Sequence, residues 1–180
     1  MFILGIAAGF FVNKKLDIPQ NINNNFINSK NVTKDTKNEN TEYVEVYFVK
    51  GKKNQGITYL AYIPVKRPVK EGEDNFKTAI IELLKGVSLQ EKEKGFTTEI
   101  PSSTKLLGIK SDTTSYTINL SGDFQLGGGT DSMKARVYQL VKTATSASEG
   151  KDVYLFLDGE KTEVIGGEGI IIKQPINKNL

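Results

Sequence analysis

The stretch that most constrains this chain runs from residue 118 to residue 175. It reads as a strand (INLSG), a glycine turn (GGGT), an amphipathic helix, an apolar strand (VYLFL), a second glycine turn (GGEG) and a short strand. Met133, Val137, Leu140, Val141 and Ala144 recur at helical spacing, which predicts a helix that begins near Thr130 or Asp131 and buries this stripe. The run at residues 153–157 is continuously apolar and suits a central strand. A strand, a helix and a second strand in succession point to helices packed on a sheet.

The preceding half has the same grammar. Residues 43–49 alternate, placing Val44, Val46 and Phe48 on one face. A polar turn is expected at residues 51–56. A second strand follows at 57–65, with Ile57, Tyr59, Ala61 and Ile63 aligned and Pro64 marking its end or a sheet edge. Asp74 is placed to cap a helix whose buried face is Phe76, Ala79, Ile80, Leu83 and Leu84, ended by Gly86. Residues 95–101 read as an irregular connection. Strands at 105–109 and 116–120 flank a polar turn, Asp158-Gly159 is a turn signal, and a short strand lies near residues 163–165. The expected fold class is α+β: a single domain at residues 43–176, a mixed β-sheet with two helices packed on one face, followed by a tail at 177–180.

Residues 1–12, MFILGIAAGFFV, carry no charged side chain. The run is shorter than the roughly 20 residues of a spanning helix. It reads as the end of a membrane anchor, as a signal segment without a basic start, or as a buried core element. Residues 13–42 contain nine Asn, five Lys and four acidic residues, with few large apolar groups. Such composition does not bury enough surface to offset the entropy of ordering, so a disordered, flexible polar linker is expected over residues 13–42. Lys14-Lys15 would favour a cytoplasmic side for the chain after the apolar run. Asn31-Val32-Thr33 matches a glycosylation sequon by chance in so Asn-rich a segment.

The chemistry on offer is sparse. There is no Cys, His or Trp, and net charge is +3 from 24 basic and 21 acidic residues. Disulfides and thiol chemistry are excluded, and nothing resembles the concentrated basic footprint of nucleic-acid binding. Gly127-Gly128-Gly129 precedes a helix but lacks a following Lys-Ser/Thr, so a turn with Thr130, Asp131 and Ser132 as helix caps is expected rather than a phosphate cradle. Gly166-Gly167-Glu168-Gly169 reads as a tight turn. Asp123, Asp158 and Glu168 are the carboxylates available for a glycosidic pair, and spacing gives no sign that they converge. Ser121 and Ser132 sit in turn contexts without a partnering Lys. Tyr43 and Tyr47 share a strand face, without the basic and glycine residues of an RNA-binding strand. No catalytic, metal or cofactor residue is expected.

The order and spacing of many short pieces resemble the GerMN domain, the sporulation and spore germination domain of bacterial envelope proteins. The pieces are YFVK at 47–50, Leu83-Leu84 before Gly86, Gly95-Phe96 leading to Ile100-Pro101, and Thr104-Lys105-Leu106-Leu107. They continue with Leu120-Ser121 and Phe124, the glycine turn, Gln139 with Thr143-Ala144-Thr145, Asp158-Gly159, GGEG, and Gln174-Pro175. GGGTDSM and GGEGIIIKQP are most similar to cyanobacterial versions. Where family members often carry Thr-Arg after the Pro motif, Asn177-Lys178 stands here. The resemblance implies an extracytoplasmic, membrane-anchored domain similar to ring-building motifs of secretion machines, with no known enzymatic activity. Partners are expected among envelope proteins or copies of the chain itself, with peptidoglycan as a further candidate, and the apolar run points to membrane contact through the N-terminus. Two classes stand: a cell-envelope interaction module, and a domain that binds or hydrolyses wall polymer.

Overall fold

The structure, a computed structural model, describes residues 41–167 and 169–178. The apolar N-terminal run, nearly all of the Asn-rich segment, its sequon, Glu168 and the last two residues lie outside the described residues.

Two long strands open the fold, β1 (Tyr43–Asn54) and β2 (Ile57–Pro68), paired antiparallel along their whole length. The turn between them is only Gln55-Gly56, with φ of 47° and 84°. Positive φ at both central residues is what a tight hairpin with native twist requires. The polar turn expected at residues 51–56 is therefore mostly strand. Gly51, Lys52, Lys53 and Asn54 are exposed and give no alternation to read, yet their backbone is held by β2.

Helix α1 (Asn75–Lys85) starts where Asp74 accepts the Lys77 N–H at 2.7 Å and stops at Gly86, φ 77°. A one-turn helix, α2 (Leu89–Glu93), follows, then β3 (Phe96–Thr97), which pairs with Val49 and Lys50 of β1. Both fall where no element, or only an irregular connection, was expected. Strands β4 (Leu106–Ser111) and β5 (Ser115–Leu120) form a hairpin, and a 3-10 turn at Gly122–Gln125 leads to α3 (Thr130–Ala147). β6 (Asp152–Leu157) then runs parallel to β5. A parallel neighbour needs a crossover, and α3 supplies it. β7 (Glu160–Lys161), β8 (Val164–Ile165) and β9 (Ile170–Ile171) end the chain of elements.

The class is α+β. The strands divide among three sheets, in the orders β2-β1-β3, β4-β5-β6-β7 and β8-β9. One apolar cluster joins them. Val44, Val46 and Phe48 of β1 meet the Phe76, Ala79, Ile80 and Leu83 face of α1 and the Met133, Val137, Leu140, Val141 and Ala144 stripe of α3. The parallel register sets Tyr116, Ile118 and Leu120 level with Val153, Leu155 and Leu157, all six buried. β6 thus alternates, with Tyr154 and Phe156 half-buried, because only one face of its sheet is fully covered. Phe76 and Tyr116 stack at 3.8 Å between centroids, tying α1 to β5.

Candidate functional site: the α3 face between two glycine turns

Helix α3 carries a second stripe beside its apolar one. Ser132, Arg136, Gln139, Thr143 and Ser146 are spaced by four and three residues, which sets them on one helical face. Each hydrogen bonds to main chain or to a loop. Thr143 Oγ1 accepts the Tyr47 N–H at 3.0 Å, Gln139 Nε2 donates to the Tyr47 carbonyl at 3.2 Å, and Ser146 donates to the Glu45 carbonyl at 3.1 Å. Gln139 Oε1 accepts the Glu99 N–H at 2.8 Å, and Ser132 donates to the Glu99 carboxylate at 2.7 Å. Among the described residues no strand flanks the N-terminal half of β1 on this side, and the helix supplies the partners that a strand would. That satisfies the edge groups which otherwise cost free energy when buried.

Arg136, 2% exposed, reaches the first glycine turn. Its Nη1 donates to the carbonyls of Phe124 (2.8 Å) and Leu126 (2.9 Å), and its Nη2 to that of Gly127 (2.9 Å). Three carbonyl dipoles thus replace water around the cation. Burial pushes the guanidinium pKa down, with the Glu99 carboxylate pulling the other way. Gly127 and Gly128 have φ of 65° and 74°, as the turn reading requires. A Cβ on Gly128 would also lie 2.5 Å from Ser132 Oγ. The expected caps are not used: Gly129 is the N-cap, without a side-chain bond, because Ser132 is turned to Glu99 and Arg136.

The two glycine turns, far apart in sequence, meet. Gly128, Gly129 and Thr130 line one hollow of about 200 Å³ with Ile165, Gly166 and Gly167, and Met133 lies between them. A Cβ on Gly166 would stand 3.1 Å from Met133 Cε, so the second turn closes on α3 by lacking a side chain. Along the same helix a groove of about 220 Å³ continues over Val137, Tyr138, Val141, Ile170 and Ile172, flanked by Lys134 and Lys173. A separate hollow of about 510 Å³ along α1 is lined by Lys70, Glu73, Asp74, Lys77, Glu82 and Lys85, of mixed charge sign.

The carboxylates named from sequence have local tasks. Asp158 accepts the Gly122 N–H at 3.0 Å, and Asp123 accepts the Ser121 hydroxyl at 3.0 Å, so both sit at the shared end of β5 and β6. Ser121 also accepts the Lys105 N–H at 3.0 Å. Tyr47 lies beneath Lys142, 5.9 Å from the ring centroid, and its hydroxyl donates to Glu45 at 3.3 Å. Burial, with Glu45 adding to it, raises the Tyr47 pKa. Tyr43 is exposed. Among the described residues no cluster of three or more His, Cys, Asp or Glu side chains is placed to hold a metal ion.

The C-terminal segment completes β6 in the way α3 completes β1. Gln174 accepts the Leu155 N–H at 3.1 Å and donates to the Leu155 and Thr162 carbonyls at 3.0 and 2.8 Å. Asn177 accepts the Val153 N–H at 2.9 Å and donates to the Lys151 carbonyl at 2.8 Å, and Lys178 pairs with Asp152. Both side chains of the Asn177-Lys178 pair are thus engaged along β6.

The first of the tandem GerMN domains of the sporulation protein GerM from Bacillus subtilis aligns with a TM-score of 0.56 and 19% identity, over 74% of this chain and 96% of that one. The tandem pair aligns at 0.53 and 23% identity, over 76% of this chain and 45% of its own length. No curated protein matches the chain. At these identities the likeness is one of fold. The family described as Germane, sporulation and spore germination, matches residues 45–163, about two thirds of the sequence, and the chain belongs to that family.

Proposed function

We propose that this protein is a non-catalytic module of the cell envelope, tethered to the membrane through its apolar N-terminal run and acting by protein–protein contact. The observation that carries this reading is how the polar side chains are used. Ser121, Asp123, Ser132, Arg136, Gln139, Asp158 and Gln174 are all engaged by backbone or loop partners, while exposed Ile57, Tyr59, Leu60, Tyr138 and Ile171 line surfaces suited to contact. An apolar run followed by an Asn-rich segment before the domain supports tethering. The family, described by sporulation and spore germination, is consistent with envelope work.

Fractionation of native cells with pull-down on the full chain is the test. Recovery with membranes together with specific protein partners is expected. Hydrolysis of purified peptidoglycan, abolished by Asp123→Asn or Asp158→Asn, would overturn the reading in favour of a wall-polymer hydrolase.

A further inference from the structure

The outer edge of β2 is a long sheet border left without a partner among the described residues. In the sheet order β2-β1-β3, β2 is terminal, and no described strand pairs along its far side. The orientation of its backbone follows from β1. Glu45, Tyr47 and Val49 turn their carbonyls away from β2, toward Ser146, Gln139 and Thr97. Odd-numbered residues of β1 therefore face outward, and the register pairs Tyr47, Val49, Gly51 and Lys53 with Pro64, Tyr62, Leu60 and Thr58. Residues opposite one another across an antiparallel pair that do not bond each other both point their N–H and C=O groups outward. Thr58, Leu60 and Tyr62 thus present three donors and three acceptors along the free edge. Pro64, next in the series, has no N–H and ends the run.

This edge is guarded at one end only. The stretch ITYLAYI, residues 57–63, holds no charge, proline or glycine, and is rich in β-branched and aromatic residues. Ile57 is 70% exposed, and Tyr59 and Leu60 are 47% exposed. Such a strand at a sheet border is a ready template for pairing. The open run 58-60-62 is also symmetric about Leu60. Two copies can meet antiparallel about a two-fold axis through Leu60, with Thr58 of each opposite Tyr62 of the other.

We propose that two copies of this chain pair through residues 57–63 of β2, joining their three-stranded sheets into one of six strands. All three outward residues of each copy then exchange both their hydrogen bonds, and Ile57 and Tyr59 fall opposite Ile63 and Ala61 of the second copy. A neutral strand meets a neutral strand, with no like charges apposed; Lys52 and Lys53 lie one strand further in. Within residues 57–63 an acidic peptide or an anionic lipid surface would find no cation, and Lys66 of the same strand lies beyond Pro64. The inference rests on the interaction module proposed above and names one of its partners.

The chain has no cysteine, so a single introduced thiol reports on one contact. Leu60→Cys places the two thiols opposite each other, about 5.5 Å apart at Cα, within disulfide reach. Oxidation of the full-length Leu60→Cys protein should give a cross-linked dimer, while Thr58→Cys, about four residues from its own copy in this register, should not cross-link. Wild-type full chain should sediment at twice the monomer mass. Leu60→Pro should halve that mass with an unchanged circular dichroism spectrum, because the lost N–H is not one β1 uses. A monomeric wild type, cross-linking equal at both positions, or a folded Leu60→Pro protein that stays dimeric would each overturn the inference. So would monomers that bind anionic vesicles through this hairpin. A monomer that still fractionates with membranes and keeps its protein partners would remove only the dimer and leave the envelope module standing.

Discussion

A glutamine side chain carries the same donor and acceptor as a peptide unit, and this fold uses that equivalence twice. Gln139 bonds the Tyr47 carbonyl and the Glu99 N–H, and Gln174 bonds both polar groups of Leu155. Gln139 is fully buried, and its side chain occupies the place of water at these two half-buried backbone groups. Gln139→Leu keeps the volume but orphans both, each at about 1–3 kcal/mol. A drop in the urea midpoint with an unchanged slope is the expected result; stability within about 0.5 kcal/mol of wild type, as at surface positions, would mean that the bonds contribute little. The apolar residues of α3 were legible because their spacing repeats within a few turns. Gln139, Thr143 and Arg136 have the same spacing, but their partners lie at Tyr47 and in the loop of residues 124–127. Nothing local in the sequence says that those backbone groups will be short of a strand.

Elements were legible in proportion to how much apolar surface they bury on one face. α1, β5 and α3 alternate or repeat and β6 reads as one apolar run; the expected limits of α1, β5 and β6, and the expected start of α3, agree closely with those found. α2 buries no residue and so has no period to read. Its signal was the pair Ser88 and Glu91, a reciprocal cap in which each side chain bonds the other's N–H. That helix is held to β2 by Arg67, which bonds Glu91 through both η nitrogens at 2.7 and 2.8 Å and lies 3.5 Å from Glu82. The Arg67 bond, chiefly, lowers the Glu91 pKa from the ordinary 4.5 to about 2. A depressed carboxylate pKa stabilises the fold fully above pH 4.5, and this contribution is lost as the pH falls through about 2. Wild type should therefore lose about 1.5–3 kcal/mol more than Glu91→Gln between these limits, read from denaturation midpoints at each pH. Asp112, likewise lowered to about 2 by bonds from Ser115 and Thr114, titrates in both proteins and cancels in the difference. Parallel curves for the two proteins would remove the pair as an acid-sensitive link.

At the scale of the whole molecule, the fold is anchored at its start by Glu42, whose carbonyl accepts the Val69 N–H at 2.8 Å and whose carboxylate accepts from Asn75 at 2.6 Å. Trypsin acting on the full chain should leave a resistant core that begins after Lys37 and reaches Lys178, identified by mass spectrometry. Rapid cutting at Lys92, Lys105 or Lys142 would mean that the domain does not stand by itself. A sheet has two borders, and in β2-β1-β3 one of them is occupied from Glu45 to Lys50 by a helix and a two-residue strand. Beyond it only Gly51 and Lys53 face outward, a glycine and a charge that discourage docking. The remaining border is consumed when two copies meet about a two-fold axis. Growth through this sheet then stops at a pair, where a sheet open on both sides would add copy after copy into a fibre.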